Sequence, residues 1–267
     1  MQQDWAAAEL AGGELRLRLG DEVLAVPCGD DPAGALCTLL LPRLSLGQAV
    51  TVVATGWPGM APIAVPCPIP RPATALRLDP RISLHPVPGL MQDRPVDLIQ
   101  AQVLLVAGHL AEDPDFDGIL CLPGRQTAWA QVSAQEIVSF RSFLTAAMLS
   151  TLSHDPEAAV TAGFDDAVSQ AMSRPAALAA ELSSVRAGLG LGRLDGPQAA
   201  DRLAGLLIGA ELAAARPWWL GQNVVVIAGG WLADRYLRAL AAQGVAVAQA
   251  DPAQALQRGI RTMLSPA

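Results

Sequence analysis

The sequence predicts an α/β protein in which one structural unit is used twice. Two observations point there. The stretch from about Trp5 to Val26 reads as strand, turn, strand, turn and strand, and the same order returns between Ile119 and Phe143. Each run is followed by mixed helical and strand patterns. A chain of 267 residues has room for one large domain or two ordinary ones. The return of the meander places lobes over 1–110 and 111–267.

The first meander rests on Glu14 to Leu19, which alternates polar and apolar residues as a half-buried strand does. Gly12-Gly13 before it and Gly20-Asp21-Glu22 after it are turn signals. Residues 32–48 predict a short helix broken at Pro42, and Val50 to Ala54 a short buried strand. Trp57 to Pro88 is rich in proline and reads as an extended connection. Val96 to Leu110 reads as an apolar helix. The second meander has strands at Ile119–Leu122, Thr127–Val132 and Ile137–Phe143, with turns at Pro123-Gly124 and Ser133 to Glu136. Helical patterns follow, with breaks near Pro156, Pro175 and Gly188 to Gly192. A long helix is expected from Gln198 to Ala215 and a β-branched strand from Val224 to Ala228. Gly229-Gly230 opens a helix from Trp231 to Ala242. Val245 to Ala248 reads as a strand, and Pro252 takes the first position of the last helix.

Composition narrows the chemistry. Hydrophobic residues make up 52% and charged residues 16%, which is a core-rich globular chain. No apolar run is long enough to span a bilayer. Met1 to Leu10 has neither a basic nor an apolar leader pattern, so the cytoplasm is the expected compartment. The four cysteines are scattered and the three histidines do not join them at metal-ligand spacing. With a net charge of −7 and no basic stripe, nucleic acid is not an expected partner. All 18 cationic residues are arginine. A Walker-type phosphate loop and a protein-kinase site both need lysine, so both are excluded. Any ATP chemistry must use backbone amides, hydroxyls, arginine and a metal ion.

Two halves that each open on a three-stranded meander match the duplicated ribonuclease-H-like (actin-like ATPase) fold, two lobes with a cleft between them. A generic α/β sandwich fits the periodicity equally well. Short motifs favour the former. Gly205-Leu-Leu-Ile-Gly-Ala-Glu211, Ala228-Gly-Gly-Trp-Leu-Ala-Asp-Arg-Tyr236, Pro123-Gly-Arg-Gln-Thr-Ala-Trp129, Phe140-Arg-Ser-Phe-Leu-Thr145 and Ser184-Val-Arg-Ala187 stand in this chain. They resemble, in order and spacing, the GLLIGAE, AGS-x-x-L-x-x-RY, PGTHSKW, FRT-x-LTGE and FSVRA segments of the 2-dehydro-3-deoxygalactonokinase family. The likeness runs from about Val87 to Pro266. Asp4-Trp5 resembles the start of the family's DWGTSNLRAW segment, and Ala64 to Pro68 is similar to its APYVPCP segment.

The resemblance implies a sugar-acid kinase that uses ATP and Mg²⁺. It implies nucleotide and phosphate contacts at Asp4, Gly124, Arg125, Gln126, Thr127, Ala228, Gly229 and Gly230, with Asp4 holding Mg²⁺ through water. Arg186 and Glu211 are candidate sugar-acid contacts. Each has a plainer alternative: Arg125 as a solvated turn residue, Gly229-Gly230 as an ordinary strand-to-helix turn, Arg186 as the partner of a neighbouring acid.

Departures from the family pattern fall on the chemistry. Phosphoryl transfer needs groups around the phosphates, a metal, and a carboxylate that takes the acceptor hydroxyl's proton. The first hairpin's glycine and hydroxyls are Ala6, Ala7 and Ala8 here. Where the family has MRGEETQ, the Gly-Glu-Glu positions are Leu98, Ile99 and Gln100. Asp97, one or two residues away, is the remaining candidate base. The Gly-Glu after Thr145 is Ala146-Ala147. The expected function is therefore a kinase-fold protein with reduced or lost phosphotransfer, a pseudokinase that binds nucleotide, sugar acid or a protein partner. An active kinase of 2-dehydro-3-deoxygalactonate or a related 2-keto-3-deoxy sugar acid is the alternative, and an enzyme rebuilt for another substrate is a third reading.

Overall fold

The computed structural model describes residues 5–265 except 21, 154, 156, 158 and 159. Asp4, Asp21 and Pro156 therefore lie outside the described residues. The chain forms two compact units, one of Met1–Pro114 with Gln254–Ala267 and one of Asp115–Ala253.

The first unit opens with β1 (Trp5–Ala11), β2 (Glu14–Leu19) and β3 (Glu22–Pro27). Gly12 and Gly13 make the β1–β2 turn with φ of 60° and 76°, the paired left-handed geometry of a tight hairpin. In β2, Leu15 and Leu17 point into the core. Helix α1 (Pro32–Leu40) starts on Asp31, whose Oδ1 accepts the Gly34 N–H at 2.8 Å, and ends in a single 3₁₀ turn, Leu41–Arg43, around Pro42. Strand β4 (Val50–Thr55) follows.

The proline-rich stretch is less irregular than its composition suggests. It holds β5 (Ile63–Ala64), β6 (Cys67–Pro68), β7 (Leu76–Asp79) and β8 (Ile82–Val87). Within it β8 keeps a strand's alternation, with Ile82 and Leu84 buried. Pro86 is tolerated because β7 pairs with β8 only as far as Leu84. The sheet order is β3-β2-β1-β4-β8-β7, with β1, β4 and β8 parallel at its centre.

The helix expected over Val96 to Leu110 is a strand followed by a shorter helix. β9 (Leu90–Asp93) and β10 (Val96–Ile99) pair as a hairpin across Arg94-Pro95. Helix α2 (Gln102–Glu112) begins only after the chain turns at Gln100 and Ala101. A run of apolar residues cannot by itself separate an edge strand from a helix turn. With β5, these strands form a second small sheet, β10-β9-β5.

The second unit matches the expected order closely. β11 (Gly118–Leu122), β12 (Thr127–Ser133) and β13 (Glu136–Phe143) form the meander. Helices α3 (Thr145–Leu152), α4 (Ala162–Ser173), α5 (Leu178–Gly190), α6 (Gly196–Ala214) and α7 (Arg216–Trp219) follow, then β14 (Val224–Ile227), α8 (Gly230–Ala241) and β15 (Val247–Ala250). Within the unit the strand order is β15-β14-β11-β12-β13, with β11, β14 and β15 parallel. Asp195 and Gln198 close a capping box at the start of α6. Gly205 and Gly209 on α6 let α4 approach: a Cβ at either would stand 2.5 or 2.6 Å from the carbonyl oxygen of Phe164 or Val168.

The last helix, α9 (Pro252–Leu264), starts on Pro252 as the sequence indicates. From Gln254 onward it belongs to the first unit. It packs on α2 through small residues: a Cβ on Gly108 would lie 1.7 Å from the Ala255 carbonyl oxygen, and one on Gly259 2.0 Å from that of Leu104. A break in sequence near residue 110 gives no hint of this return, because the contact joins residues 150 positions apart, as in the Arg258 Nε bond to Gly108 O.

Candidate functional site

In the first unit the parallel strands β1, β4 and β8 end on one edge. Ligands of open α/β sheets sit outside the carboxyl ends of such strands. Gly56 follows β4 with φ of 71°, and a Cβ there would lie 2.2 Å from Leu10 O and 3.2 Å from Gln100 Oε1. A Cβ on Gly89, just past β8, would lie 3.2 Å from Gln100 Cγ. Gln100 therefore occupies the edge beside the ends of β4 and β8, presenting an amide in place of a carboxylate. Ile99 is buried and Leu98 is exposed. Asp97 lies in β10, where its Oδ1 accepts its neighbour Leu98's N–H at 2.8 Å. Glu9 pairs opposite Thr55 at the same strand end. It was not visible from motifs, because it follows the alanine run.

That alanine run is strand interior. Ala6, Ala7 and Ala8 are buried in β1 between β2 and β4. The hairpin turn of this meander lies further on, at Gly12 and Gly13, where the backbone faces open space. Alanine fits a crowded strand position, and the turn's positive φ demands glycine.

In the second unit the corresponding turn runs from Pro123 to Gln126. Arg125 is exposed, Gly124 is half-buried, and Thr127 is fully buried as the first residue of β12. Arg125 can meet an anion with its planar fork. The second glycine turn opens α8. Ala228 is buried and its carbonyl accepts Gln249 Nε2 at 3.1 Å. Gly229 and Gly230 are exposed, and Gly230 has φ of 59° with open space where a Cβ would stand. The Arg235 guanidinium lies 5.1 Å from the ring centre of Trp231, the residue after Gly230.

Glu211, the candidate sugar-acid contact, is enclosed by protein groups. It is 3% exposed, inside the second unit, and its oxygens are held by protein groups. Trp129 Nε1 donates to Oε1 at 2.8 Å, and Tyr236 Oη donates to Oε2 at 2.8 Å. The Thr145 hydroxyl also donates to Oε2. Tyr236 and Thr127 share a further 2.8 Å bond. Burial pushes the Glu211 pKa up to about 7 against the pull of these three donors. A carboxyl so enclosed organises the unit's interior. Arg186 stands apart, exposed on α5 beside buried Val185.

The partners of Glu211 were not foreseen, yet a signal existed. Trp129, Thr145, Glu211 and Tyr236 come from four different sequence motifs, and each is the last residue of its motif; Thr127 stands two residues before Trp129. Among the described residues no group of three or more His, Cys, Asp or Glu side chains could hold a metal ion. Asp4, the residue implied for Mg²⁺, lies outside them. Among these residues, too, no helix is long and apolar enough to cross a membrane.

Two units, each with an antiparallel meander continued by parallel strands, define the duplicated ribonuclease-H-like fold of the actin-like ATPases. The chain belongs to the 2-keto-3-deoxy-galactonokinase family, whose model matches residues 49–263. That match begins after β1 to β3. A protein of Rhizobium meliloti (strain 1021) named as a probable 2-dehydro-3-deoxygalactonokinase is 34% identical over 194 residues, 65% of this chain and 61% of that protein. The 2-dehydro-3-deoxygalactonokinase of Escherichia coli (strain K12) is 30% identical over 188 residues, 66% and 63% respectively. The aligned stretch thus spans a little over three-fifths of each relative. A crystal structure from Sinorhizobium meliloti, assigned to the same activity, superposes with a TM-score of 0.80 at 25% identity and covers 98% of both chains.

Proposed function

We propose that this chain is a kinase-fold protein of the galactonate-kinase type in which transfer of phosphate to a 2-keto-3-deoxy sugar acid is reduced or lost, while a nucleotide-binding surface is kept. One observation carries the reading. At the strand ends beside Gly56 and Gly89, where the acceptor's proton has to be taken, the side chain is Gln100. An amide cannot serve as the base, and loss of a positioned base lowers rate by roughly 10²- to 10⁴-fold. Asp97 does not replace it readily, since one of its oxygens is engaged by the adjacent backbone.

ATP, with Mg²⁺, is the nucleotide the family implies, and the second unit offers groups that suit it. The exposed Gly229-Gly230 turn admits close approach of a ligand, and the Pro123–Gln126 turn presents Arg125 to phosphate. Bound Mg²⁺ would neutralise charge on the phosphates. Sugar acid and nucleotide are the proposed small-molecule partners, and the cytoplasm the proposed compartment.

Two measurements test the reading. Mg-ATP at millimolar concentration raises the melting midpoint if the nucleotide surface survives. An ADP-release assay with 2-dehydro-3-deoxygalactonate then shows turnover at least 10²-fold below that of an intact family member assayed alongside. Turnover comparable with that member, abolished by Asp97→Ala, overturns the reading. An active kinase has one observation in its favour: Glu9 lies opposite Thr55 at the critical strand end. In that case Glu9→Gln removes the turnover and Asp97→Ala does not.

A further inference from the structure

Thr127, Tyr236 and Glu211 form a hydrogen-bonded chain inside the second unit. All three side chains are buried. Thr127 stands at the base of the Pro123–Gln126 turn, and Tyr236 on the helix that Gly229 and Gly230 open. One carboxyl group is thereby tied to both candidate nucleotide turns.

The direction of the chain follows from proton counting. Tyr236 has a single hydroxyl proton. While it donates to an ionised Glu211, its oxygen accepts from Thr127, so the threonine proton points inward. A protonated Glu211 has a proton of its own, which the indole N–H of Trp129, a donor only, cannot accept; given to the Tyr236 oxygen, it releases the Tyr236 proton toward Thr127 Oγ1. The order then runs outward.

We propose that Glu211 is a positioning residue for the Pro123–Gln126 turn: through Tyr236 and Thr127 its protonation state sets the hydrogen-bond direction at the base of that turn, and with it the turn's affinity for a phosphate anion. The affinity half rests on the reading that this turn takes nucleotide phosphate. The groups facing Glu211 are the indole of Trp129 on β12, the hydroxyl of Thr145 on α3, and two titratable groups, Cys121 on β11 and Tyr236 on α8. Burial raises both of the latter well above their ordinary values, so both are neutral wherever Glu211 titrates. Glu211 is therefore the member of this cluster that changes charge near pH 7. Its ionisation draws the Tyr236 proton, and with it the Thr127 proton, inward, so the threonine hydroxyl is withdrawn from the turn and the hold on an anion there weakens.

The experiment follows nitrogen–proton NMR signals of the whole chain between about pH 5.5 and 8.5. The Trp129 indole signal, assigned with Trp129→Phe, reports Glu211 directly. The amides of Gln126, Thr127 and Ala128 report the turn. In the natural chain all of them shift with one midpoint. In Tyr236→Phe the Trp129 signal still titrates and the turn amides lose the step. In Glu211→Gln every member loses it. Turn amides that stay flat while Trp129 titrates, turn amides that keep the step in Tyr236→Phe, or a Trp129 signal that never titrates each overturn the proposal. Should Glu211→Gln fail to fold, the natural chain and Tyr236→Phe still decide.

A second arm measures calorimetric binding of Mg-ADP and of pyrophosphate across the same range. Affinity falls as pH rises through the NMR midpoint in the natural chain, and the step vanishes in Tyr236→Phe. The probe's own titration is common to both proteins and cancels in the comparison. A natural chain that binds neither probe, with the NMR coupling intact, overturns the affinity half and the nucleotide reading but leaves the coupling established.

Discussion

The indole N–H of Trp129 meets Glu211 Oε1 at 2.8 Å, wholly inside the second unit. This bond links the meander to the long helix α6. Trp129→Phe keeps an aromatic ring but leaves a buried carboxyl oxygen without its donor. An unsatisfied buried group costs about 1–3 kcal/mol, and the smaller ring adds a cavity. Urea unfolding of Trp129→Phe is expected to show a lower midpoint with an unchanged slope. A change below about 0.5 kcal/mol, the size of an ordinary surface substitution, contradicts the assigned role.

Stability should also depend on pH through Glu211. Its pKa is about 7 in the folded chain against an ordinary 4.5, so the folded state holds the proton more tightly than the unfolded state. Its contribution is fully present below about pH 4.5, declines as pH rises toward 7, and is absent above that. At about 1.4 kcal/mol per pH unit the whole decline is about 3 kcal/mol. Glu211→Gln removes this decline while leaving other titrations in place. Unfolding free energies of the two proteins at pH 5 and pH 8 give the comparison, and parallel pH dependence in both refutes it.

Much of this architecture was legible in the sequence, for reasons tied to particular residues. The alternation of Glu14 to Leu19, the paired glycines at 12 and 13, and Val224 to Ile227 are local signals, and their strands appear where expected. Val96 to Ile99 misled because an edge strand followed at once by a helix reads as one apolar run. Pro86 disguised β8, since its tolerance depends on where β7 stops pairing. The site divides in the same way. Gln100 was visible as a missing carboxylate, but its place between Gly56 and Gly89 needed three strand ends brought together. Glu211 looked like a ligand residue because its motif stood out. Only tertiary structure shows that Trp129, Thr145 and Tyr236 enclose it.

Glycine replacements separate crowding from backbone geometry. Gly108→Ala places a methyl 1.7 Å from the Ala255 carbonyl oxygen, and backbone cannot yield as a flexible side chain does. Forcing α2 and α9 apart is expected to cost about 1–3 kcal/mol or more. Gly190→Ala at the end of α5 meets nothing within 4 Å. That change should be neutral or stabilising by up to about 1 kcal/mol, because alanine loses less chain entropy on folding. Thermal melts of the two variants should move in different directions or differ by several degrees. Equal shifts contradict the close crossing of α2 and α9.

The glycines before and at the start of α8 provide the sharpest test of the nucleotide surface. Gly230 has φ of 59°, so Gly230→Ala should cost about 1–2 kcal/mol from backbone geometry alone, with no clash to add to it. Gly229 differs. Its φ is −128°, and a Cβ would stand 3.5 Å from Pro252 Cγ, an ordinary contact. Gly229→Ala takes a preferred N-cap residue from α8, so the free protein should lose up to about 1 kcal/mol. If a nucleotide lies against this backbone, the added methyl occupies part of its space. The rise in melting midpoint on adding Mg-ADP, measured from each protein's own free midpoint, should then shrink in Gly229→Ala. A full rise in that variant places the nucleotide elsewhere. A rise lost in Gly229→Ala and also in Arg125→Ala, each measured from the variant's own free midpoint, joins the two turns of the second unit into one binding surface.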